Sequence, residues 1–306
     1  MSRDRTAERL PGLLKKRLGA DAIGVRFIGG GSFGRVYRAE LADGRAVAVK
    51  VSRERGAQET EARELELLGA HTVVTVPRVL FAGEDEGLCL LCMTFVEGKN
   101  VLSPAFLLKS KARKARFAEA VADGLLRWHG VHADRFGDLD APGYTDWRDC
   151  YRAEKRDPWL FGLGKLAQAG RFRREDLALL TRAGAVFDGL PPTGARPSLI
   201  HGDLNIMNIM ADARTLELTA FIDPRGTMWA DPEYDLFQLR NMWGDAFGLY
   251  ETYRRKAGLD AYADFRVAYY GAMHECAMRL SGGIPVPLWE ALDLRRLKKE
   301  MKAIGV

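Results

Sequence analysis

The sequence lacks what would send a chain into a membrane, a disulfide framework or a nucleic-acid groove. Across 306 residues no run of 18 apolar positions occurs, so no stretch is long enough for a spanning helix. The opening "MSRDRTAERLPGLLKKRLG" is charged and amphipathic and lacks the apolar block of a secretory signal. A cytoplasmic protein that does not engage a membrane is the expectation. Cysteines are few: Cys89, Cys92, Cys150 and Cys276. Cys89-x-x-Cys92 has no second pair to complete a zinc site, and it lies in a strand-like apolar run where positions i and i+3 face opposite sides. All four are expected as reduced, mostly buried thiols. Long basic tracts are missing too. The formal net charge is only +5, which suits an anionic ligand such as a nucleotide or simply a solvated surface. The densest basic run, "KSKARKAR" (Lys109 to Arg116), carries no interleaved aromatics, so it is expected to be the exposed start of a helix and not a nucleic-acid patch. No internal repeat or low-complexity segment appears.

What is present divides into two parts. The chain is long enough for two lobes, and its character changes after "VEGKN". Ahead of that point, residues 4 to 18 pattern as a short leading helix. "AIGVRFIGG", "GRVYRAEL" and "RAVAVKV" pattern as three strands, the last two joined by an Asp-Gly turn. "GAQETEARELELLGA" has helical periodicity, and "RVLFAGEDEGLCLLCMTF" a hairpin turning at "EDEG". Beyond it, residues 103 to 133, 146 to 190 and 231 to 306 are mainly helical. Short apolar stretches surround "HGDLNIMNIM" and "LTAFIDP", and "SGGIPVP" (Ser281 to Pro287) interrupts the last helical part. The fold class is therefore α+β and bilobal. Residues 1–96 are expected to form a small antiparallel-sheet lobe with one key helix, and residues 97–306 a larger, mainly helical lobe.

Three groups of residues carry chemistry. "GGGSFGRV" fits G-x-G-x-x-G-x-V through Gly29, Gly31 and Gly34, with Ser32 and Val36 inside the motif. Glycines let a backbone approach phosphates and aim N–H groups at them. A dinucleotide fold would need a helix directly after the glycines, but here a strand, a turn and a strand follow. Lys50 ends "AVAVK" sixteen residues after Gly34. An inward lysine on a mid-sheet strand needs an anion, either a phosphate or a helix carboxylate; otherwise it snorkels to solvent. The helix offers Glu61 and Glu64, and Glu61 is favoured because leucines at +4 and +7 put it on the packed face. Lastly, Asp203 and Asn208 lie five apart, with Asp223 twenty beyond Asp203. Phosphoryl transfer requires this set: one carboxylate to orient and deprotonate a hydroxyl, and an Asn and a second carboxylate to hold Mg²⁺. Leu199, Ile200, Ile206 and Ile209 are expected to anchor the loop that carries Asp203.

In this order the glycine-rich loop, Lys50, Glu61, "HGDLNIMN" and "IDP" resemble the protein-kinase-like fold. "HGD" followed by "IDP…DPEYDL" is similar to the superfamily of aminoglycoside phosphotransferases, choline kinases and fructosamine kinases. The resemblance covers roughly residues 22 to 240. It implies that residues 1–96 are the nucleotide-binding lobe and 97–306 the catalytic and substrate-binding lobe. It also implies that Asp203 is the catalytic base, that Asn208 and Asp223 are Mg²⁺ ligands, and that Lys50 meets the α- and β-phosphates of ATP with Glu61 as its partner. "MTFVEG" would be the hinge that meets adenine at the Thr94 carbonyl and the Val96 N–H, and His201 would orient the loop.

Departures from protein kinases point to a small acceptor. Gly202 stands where they carry Arg, Asn205 where Ser/Thr kinases commonly carry Lys, and only seven residues separate Asp223 from Asp231. Asp231 is expected to N-cap a helix that begins at Pro232, and Asp235 to brace the catalytic loop. "FGDLDAPGYTDWRDCYRAEK" is similar to the Trp-containing insert of fructosamine kinases, so the expected acceptor is the hydroxyl of a sugar or sugar-amine. Asp138, Asp140, Asp146, Trp147 and Trp229 are candidate substrate residues, with helix packing the alternative for the tryptophans. Arg225 is placed to touch a phosphate or an acidic substrate, or to lie at the surface. An aminoglycoside or other antibiotic kinase is the narrower alternative, although the basic end "LRRLKKEMKAIGV" is unlike an acidic antibiotic pocket. A nucleotide-binding regulatory pseudokinase is the third reading. The expected partner is a small hydroxyl compound, and the expected assembly a monomer or homodimer.

Overall fold

The structure is a computed structural model that describes residues 4–30, 34–280 and 287–306. The predicted break at "SGGIPVP" lies largely outside the described residues. The N-terminal region begins with α1 (Arg5–Leu18), capped by the Asp4 carboxylate, and continues through β1 (Ala22–Gly30), β2 (Gly34–Leu41), β3 (Ala46–Ser52), α2 (Ala57–Ala70), β4 (Val79–Asp85) and β5 (Leu88–Thr94). The strands form one antiparallel sheet in the order β1-β2-β3-β5-β4. The β4–β5 hairpin turns at Glu86 and Gly87, both with positive φ (48° and 73°), which is the twist-matched turn a tight hairpin favours.

Strand alternation explains how this sheet serves two faces. Val47, Val49 and Val51 of β3 point one way and pack with Tyr37, Leu90 and Cys92 against Leu10, Leu13 and Leu14 of α1. Ala48 and Lys50 point the other way, toward α2, whose Ala62 and Leu65 pack on Leu91 and Met93. The sheet is thus flanked by α1, the predicted leading helix, and by α2, the key helix of the lobe. Only the α2 face bears on Lys50.

The C-terminal region contains β6 (Lys99–Asn100), α3 (Pro104–Leu107), α4 (Lys111–His129), β7 (Phe136–Asp138), β8 (Pro142–Tyr144), α5 (Trp147–Tyr151), α6 (Asp157–Gln168) and α7 (Arg174–Gly189). It ends with β9 (Ser198–Leu199), β10 (Ile209–Ala211), β11 (Leu218–Phe221), β12 (Met228–Ala230), α8 (Glu233–Leu236), α9 (Leu249–Ala257), α10 (Ala263–Ala277) and α11 (Pro287–Ala303). Small sheets β11-β10-β6 and β8-β7-β12-β9 sit among the helices. One core joins them, built around Trp128, Tyr151, Phe221, Tyr234, Tyr269 and Tyr270. The basic run does start α4, capped by Ser110. All four cysteines are buried, unpaired thiols, and burial pushes Cys92 up to about 12. Among the described residues no helix is long and apolar enough to cross a membrane.

Candidate active site

The loop between β9 and β10 is apolar at its roots and polar at its tip. Leu199, Ile200, Leu204, Ile206 and Ile209 are fully buried, so the chain is pinned at five points. Between these anchors the polar side chains bond to one another. Asn205 donates from Nδ2 to Asp203 Oδ1 (2.9 Å) and accepts the Met207 N–H on its own Oδ1 (2.9 Å). It therefore both turns the loop and sets the Asp203 side chain. Asn208 Nδ2 donates to the Asp203 carbonyl (2.7 Å), to Asp203 Oδ2 (3.2 Å) and to the Asp223 carbonyl (3.4 Å). A backbone bond from Ile222 N–H to the Asn208 carbonyl (2.9 Å) locks the two segments together. Asp223 itself sits at φ 56°, a backbone region that costs a non-glycine residue energy and that recurs at functional sites.

The loop is held from below by Asp235. Its wholly buried carboxylate accepts the N–H groups of His201 (2.9 Å) and Gly202 (2.8 Å) and faces His129 Nε2 at 3.3 Å. Burial alone would raise this carboxyl; the imidazole of His129, and after it the ring and N–H of His201, outweigh it and hold the group below its ordinary value. His201 is buried, and that burial pushes its imidazole down to about 4. The neutral ring accepts the Asp203 N–H on Nδ1 (3.3 Å). Gly202 has φ 83°, and a Cβ there would lie 2.3 Å from the Arg225 carbonyl oxygen. No side chain fits at this position, which gives a steric reason for the missing arginine.

Across the cleft, Lys50 Nζ lies 2.7 Å from Glu61 Oε2 and 2.5 Å from Asp223 Oδ1. Burial would lower the lysine, but Asp223 and Glu61 together raise it. Glu64 is turned elsewhere: its Oε1 accepts the N–H groups of Gly226 (3.0 Å) and Thr227 (3.1 Å), tying α2 to the segment just beyond Asp223. Burial pushes Glu64 up to about 7. Burial, with the Asp223 charge added, likewise pushes Asp203 up to about 7 against the pull of Asn205, Arg225 and Asn208.

The remaining residues singled out from the sequence divide. Val36 pairs directly with Lys50 across β2 and β3. Gly34 lies where a Cβ would come 2.6 Å from the Val51 carbonyl oxygen, so its glycine is dictated by strand approach. A Cβ at Gly29 would meet nothing within 4 Å. Gly31 and Ser32 lie outside the described residues. Thr94 ends β5, with its N–H and Oγ1 both bonded to Arg78 (2.9 Å each), and Val96 follows, half-buried.

Several expected substrate residues are engaged in building the fold. Trp147 is 6% exposed, packs on Phe136, Tyr151 and Tyr234, and donates its indole N–H to Tyr270 Oη (2.8 Å); helix packing explains it. Asp146 caps α5 by accepting the Arg148 N–H (2.7 Å). Asp140 is ion-paired with Arg63 of α2, Asp138 accepts the Asp140 N–H (3.0 Å), and Trp229 donates to the Leu139 carbonyl (3.3 Å). The expectation that Asp231 N-caps a helix beginning at Pro232 is not met: the helix starts at Glu233 and Pro232 holds the cap position, while Asp231 Oδ1 accepts the Glu233 N–H (2.9 Å) from one residue further out. Arg225 is exposed, and its charge bears on Asp203.

Two further polar residues were not singled out from the sequence. Glu275 of α10 feels the charge of Asp203; burial, followed by Asp293, Glu290 and Asp203, pushes it up to about 7. Asn241 donates to Glu275 Oε1 (3.3 Å). A lone acid inside the apolar "AYYGAMHECAM" was the signal for it.

Residues 24–279 match the model of the phosphotransferase enzyme family, APH. The chain belongs to the phosphotransferase enzyme family. The YcbJ protein of Escherichia coli K12 is 26% identical to this phosphotransferase over 178 residues, 56% of this chain and 57% of YcbJ; the chain thus spans about 57% of the length of the curated relatives it matches. Among solved structures, a protein provisionally named fructosamine-3-kinase from Thermobifida fusca superposes with a TM-score of 0.71 at 21% identity, covering 96% of this chain and 98% of its own. The aminoglycoside phosphotransferase APH(4)-Ia, in ternary complex with AMP-PNP and hygromycin B, gives 0.70 at 16% identity, covering 98% and 99%. A second aminoglycoside phosphotransferase, bound to GDP and kanamycin, gives 0.69 at 17% identity, covering 97% and 99%. This phosphotransferase shares their protein-kinase-like fold.

Proposed function

We propose that this phosphotransferase is an ATP·Mg²⁺-dependent kinase acting on the hydroxyl of a small sugar, sugar-amine or related metabolite. The observation that carries the reading is the convergence of Asp203, Asn208 and Asp223 with the Lys50–Glu61 pair, drawn from four separate elements or loops. The donor set suits Mg²⁺. Asp223 offers a carboxylate, and Asn208 spends its Nδ2 on Asp203 and Asp223, leaving Oδ1 as a hard oxygen ligand. Mg²⁺ takes few protein ligands and draws the rest from phosphate and water. When bound, held by Asp223 and Asn208, it would offset the negative charge that builds on the transferring phosphate.

The chain's own residues perform the remaining work. Lys50, steadied by Glu61, neutralises the phosphates. Asp203, its carboxylate set by Asn205 and Asn208, receives the proton of the acceptor hydroxyl as that oxygen attacks the γ-phosphorus and ADP departs. Asp235 and His201 hold the loop so that Asp203 needs no reorganisation. Glu275, Asn241 and Arg225 form the acceptor side in this reading, and the polar character of that group suits hydroxyls and amines. The sheet-bearing region up to residue 96 holds the nucleotide, with Thr94 and Val96 meeting its base.

A screen for substrate-dependent ADP release tests the proposal, run over sugars, glycated amines, amino alcohols, aminoglycosides and macrolides. Turnover that Asp203→Ala reduces by roughly 10²–10⁴ supports it, with nucleotide binding retained in the variant. ATP-induced thermal stabilisation with no turnover on any acceptor would favour the pseudokinase reading, and turnover confined to the antibiotics would replace the metabolite.

A further inference from the structure

The basic run from Lys109 to Arg116 serves nothing in the catalytic cleft, yet it overhangs a cavity of about 550 Å³, a size usual for small-molecule sites. Three walls enclose it: one face of α4, the β10–β11 hairpin, and the chain from Val73 to Thr75 that leaves α2 for β4. Phe117, Ala120 and Gly124 follow one another at helical spacing along the α4 wall, with Val74 and Leu218 on the other two. The walls are tied together without any ligand. Phe221 donates its N–H to the Thr75 carbonyl (3.0 Å), and the Trp128 indole N–H reaches the Leu68 carbonyl (2.9 Å). None of the lining residues belongs to the group that converges on Lys50.

Charge at this cavity is one-sided. Its charged lining residues are Arg113, Arg116, Asp123 and Glu217, and Lys256 answers Asp123 at 2.7 Å. Among the described residues no carboxylate pairs with Arg113 or Arg116. Arg113 and Lys109 both donate to the Arg214 carbonyl (3.0 and 2.8 Å), a neutral partner that leaves their charges unmatched. The nearby Asp212 carboxylate is taken up within its own turn by the Arg214 and Thr215 N–H groups and the Thr215 hydroxyl. Glu217 therefore stands against three cations. We propose that the cavity binds a small apolar anion, its aryl or alkyl body lodged against Phe117, Ala120 and Leu218 and its carboxylate or sulfonate at Arg113 and Arg116. An apolar lining with a few placed polar groups gives such a ligand its affinity and orientation, and the guanidinium fork matches an oxyanion. The site is separate from the catalytic cleft, so it stands independently of the kinase reading.

Ligand-observed NMR titration of the full chain tests this with three probes of one shape: naphthalene-1-sulfonate, 1-naphthalenemethanol and 1-naphthylmethylammonium. The sulfonate should bind about fivefold more tightly than the alcohol, with the ammonium weakest, and saturating ATP·Mg²⁺ should not displace it. Ala120→Phe fills the cavity and should abolish sulfonate binding. Arg116→Glu changes an exposed helix position; it should weaken the sulfonate about fivefold and spare the alcohol. If Ala120→Phe does not fold, Arg116→Glu decides the matter. The proposal is overturned if the sulfonate does not bind, if the ammonium binds as tightly as the sulfonate, if ATP·Mg²⁺ displaces the sulfonate, or if neither substitution lowers its affinity.

Discussion

Asp235 accepts the backbone N–H of Gly202 at 2.8 Å, and the same carboxylate takes the neighbouring His201 N–H. The loop bearing Asp203 is therefore suspended from one buried charge. Asp235→Asn keeps the shape but leaves a single oxygen where two N–H donors each had one, and sets an amide NH₂ against the other donor. The expected loss is about 2–4 kcal/mol of stability, measured by urea denaturation. Activity should fall further than the nucleotide Kd changes, because the loop's position is what is disturbed.

Gly202→Ala tests the steric argument separately. The substitution meets both an unfavourable φ and the Arg225 carbonyl, and relieving the clash requires the Asp203 loop or the segment after Asp223 to move. A destabilisation on the order of 3 kcal/mol is expected, with kcat reduced in whatever folds. An alanine variant as stable and as active as wild type would show that the two segments are not packed this tightly in solution.

Much of this site was legible in the sequence because its signals are local. Helical periodicity singled out Glu61 over Glu64 for Lys50, and the structure pairs Glu61 with Lys50. The spacing of Asp203, Asn208 and Asp223 brought three polar groups out of apolar strands, and the structure places them together. Residues whose surroundings are assembled over long separations were not legible. Glu64 is explained only by Gly226 and Thr227, and Glu275 only by its burial near Asp293 and Glu290 and its bond from Asn241. Trp147 and Asp146 misled for the same reason: an acid beside an indole suggests a sugar site, but a helix cap and an aromatic core account for both. Asn205, unexplained by its position in the motif, makes sense once its two bonds within the loop are seen.

Glu64 provides a pH prediction with a definite sign. Its carboxyl is raised from 4.5 to about 7 in the folded protein, first by burial. Between those values the native state keeps a proton that the unfolded chain has released, so the group stabilises below pH 4.5 and that contribution is lost as pH rises to 7. The full swing is about 3 kcal/mol. Glu64→Gln keeps an oxygen for Gly226 and Thr227 but has nothing to ionise. Its stability relative to wild type should therefore climb from pH 4.5 to 7 and then level off, in urea melts taken across that range. Parallel curves would mean that Glu64 is better solvated than its burial indicates.

Lys50 holds two carboxylates at once, so its structural and functional contributions must be separated. Lys50→Met leaves Glu61 buried without its cation, and a loss of about 3 kcal/mol is expected. Glu61→Gln alone leaves the lysine with Asp223 and should cost less. In the double variant Lys50→Met/Glu61→Gln no charge is stranded in the interior, so most of the lost stability should return. Activity should not return, because neither residue remains to neutralise or position phosphate; kcat/KM is expected to stay at least roughly a hundredfold below wild type. The cycle is read by denaturation and steady-state kinetics on the same four proteins. Recovery of activity together with stability would mean that the ion pair only supports the fold, and the nucleotide phosphates would then have to be held by other residues.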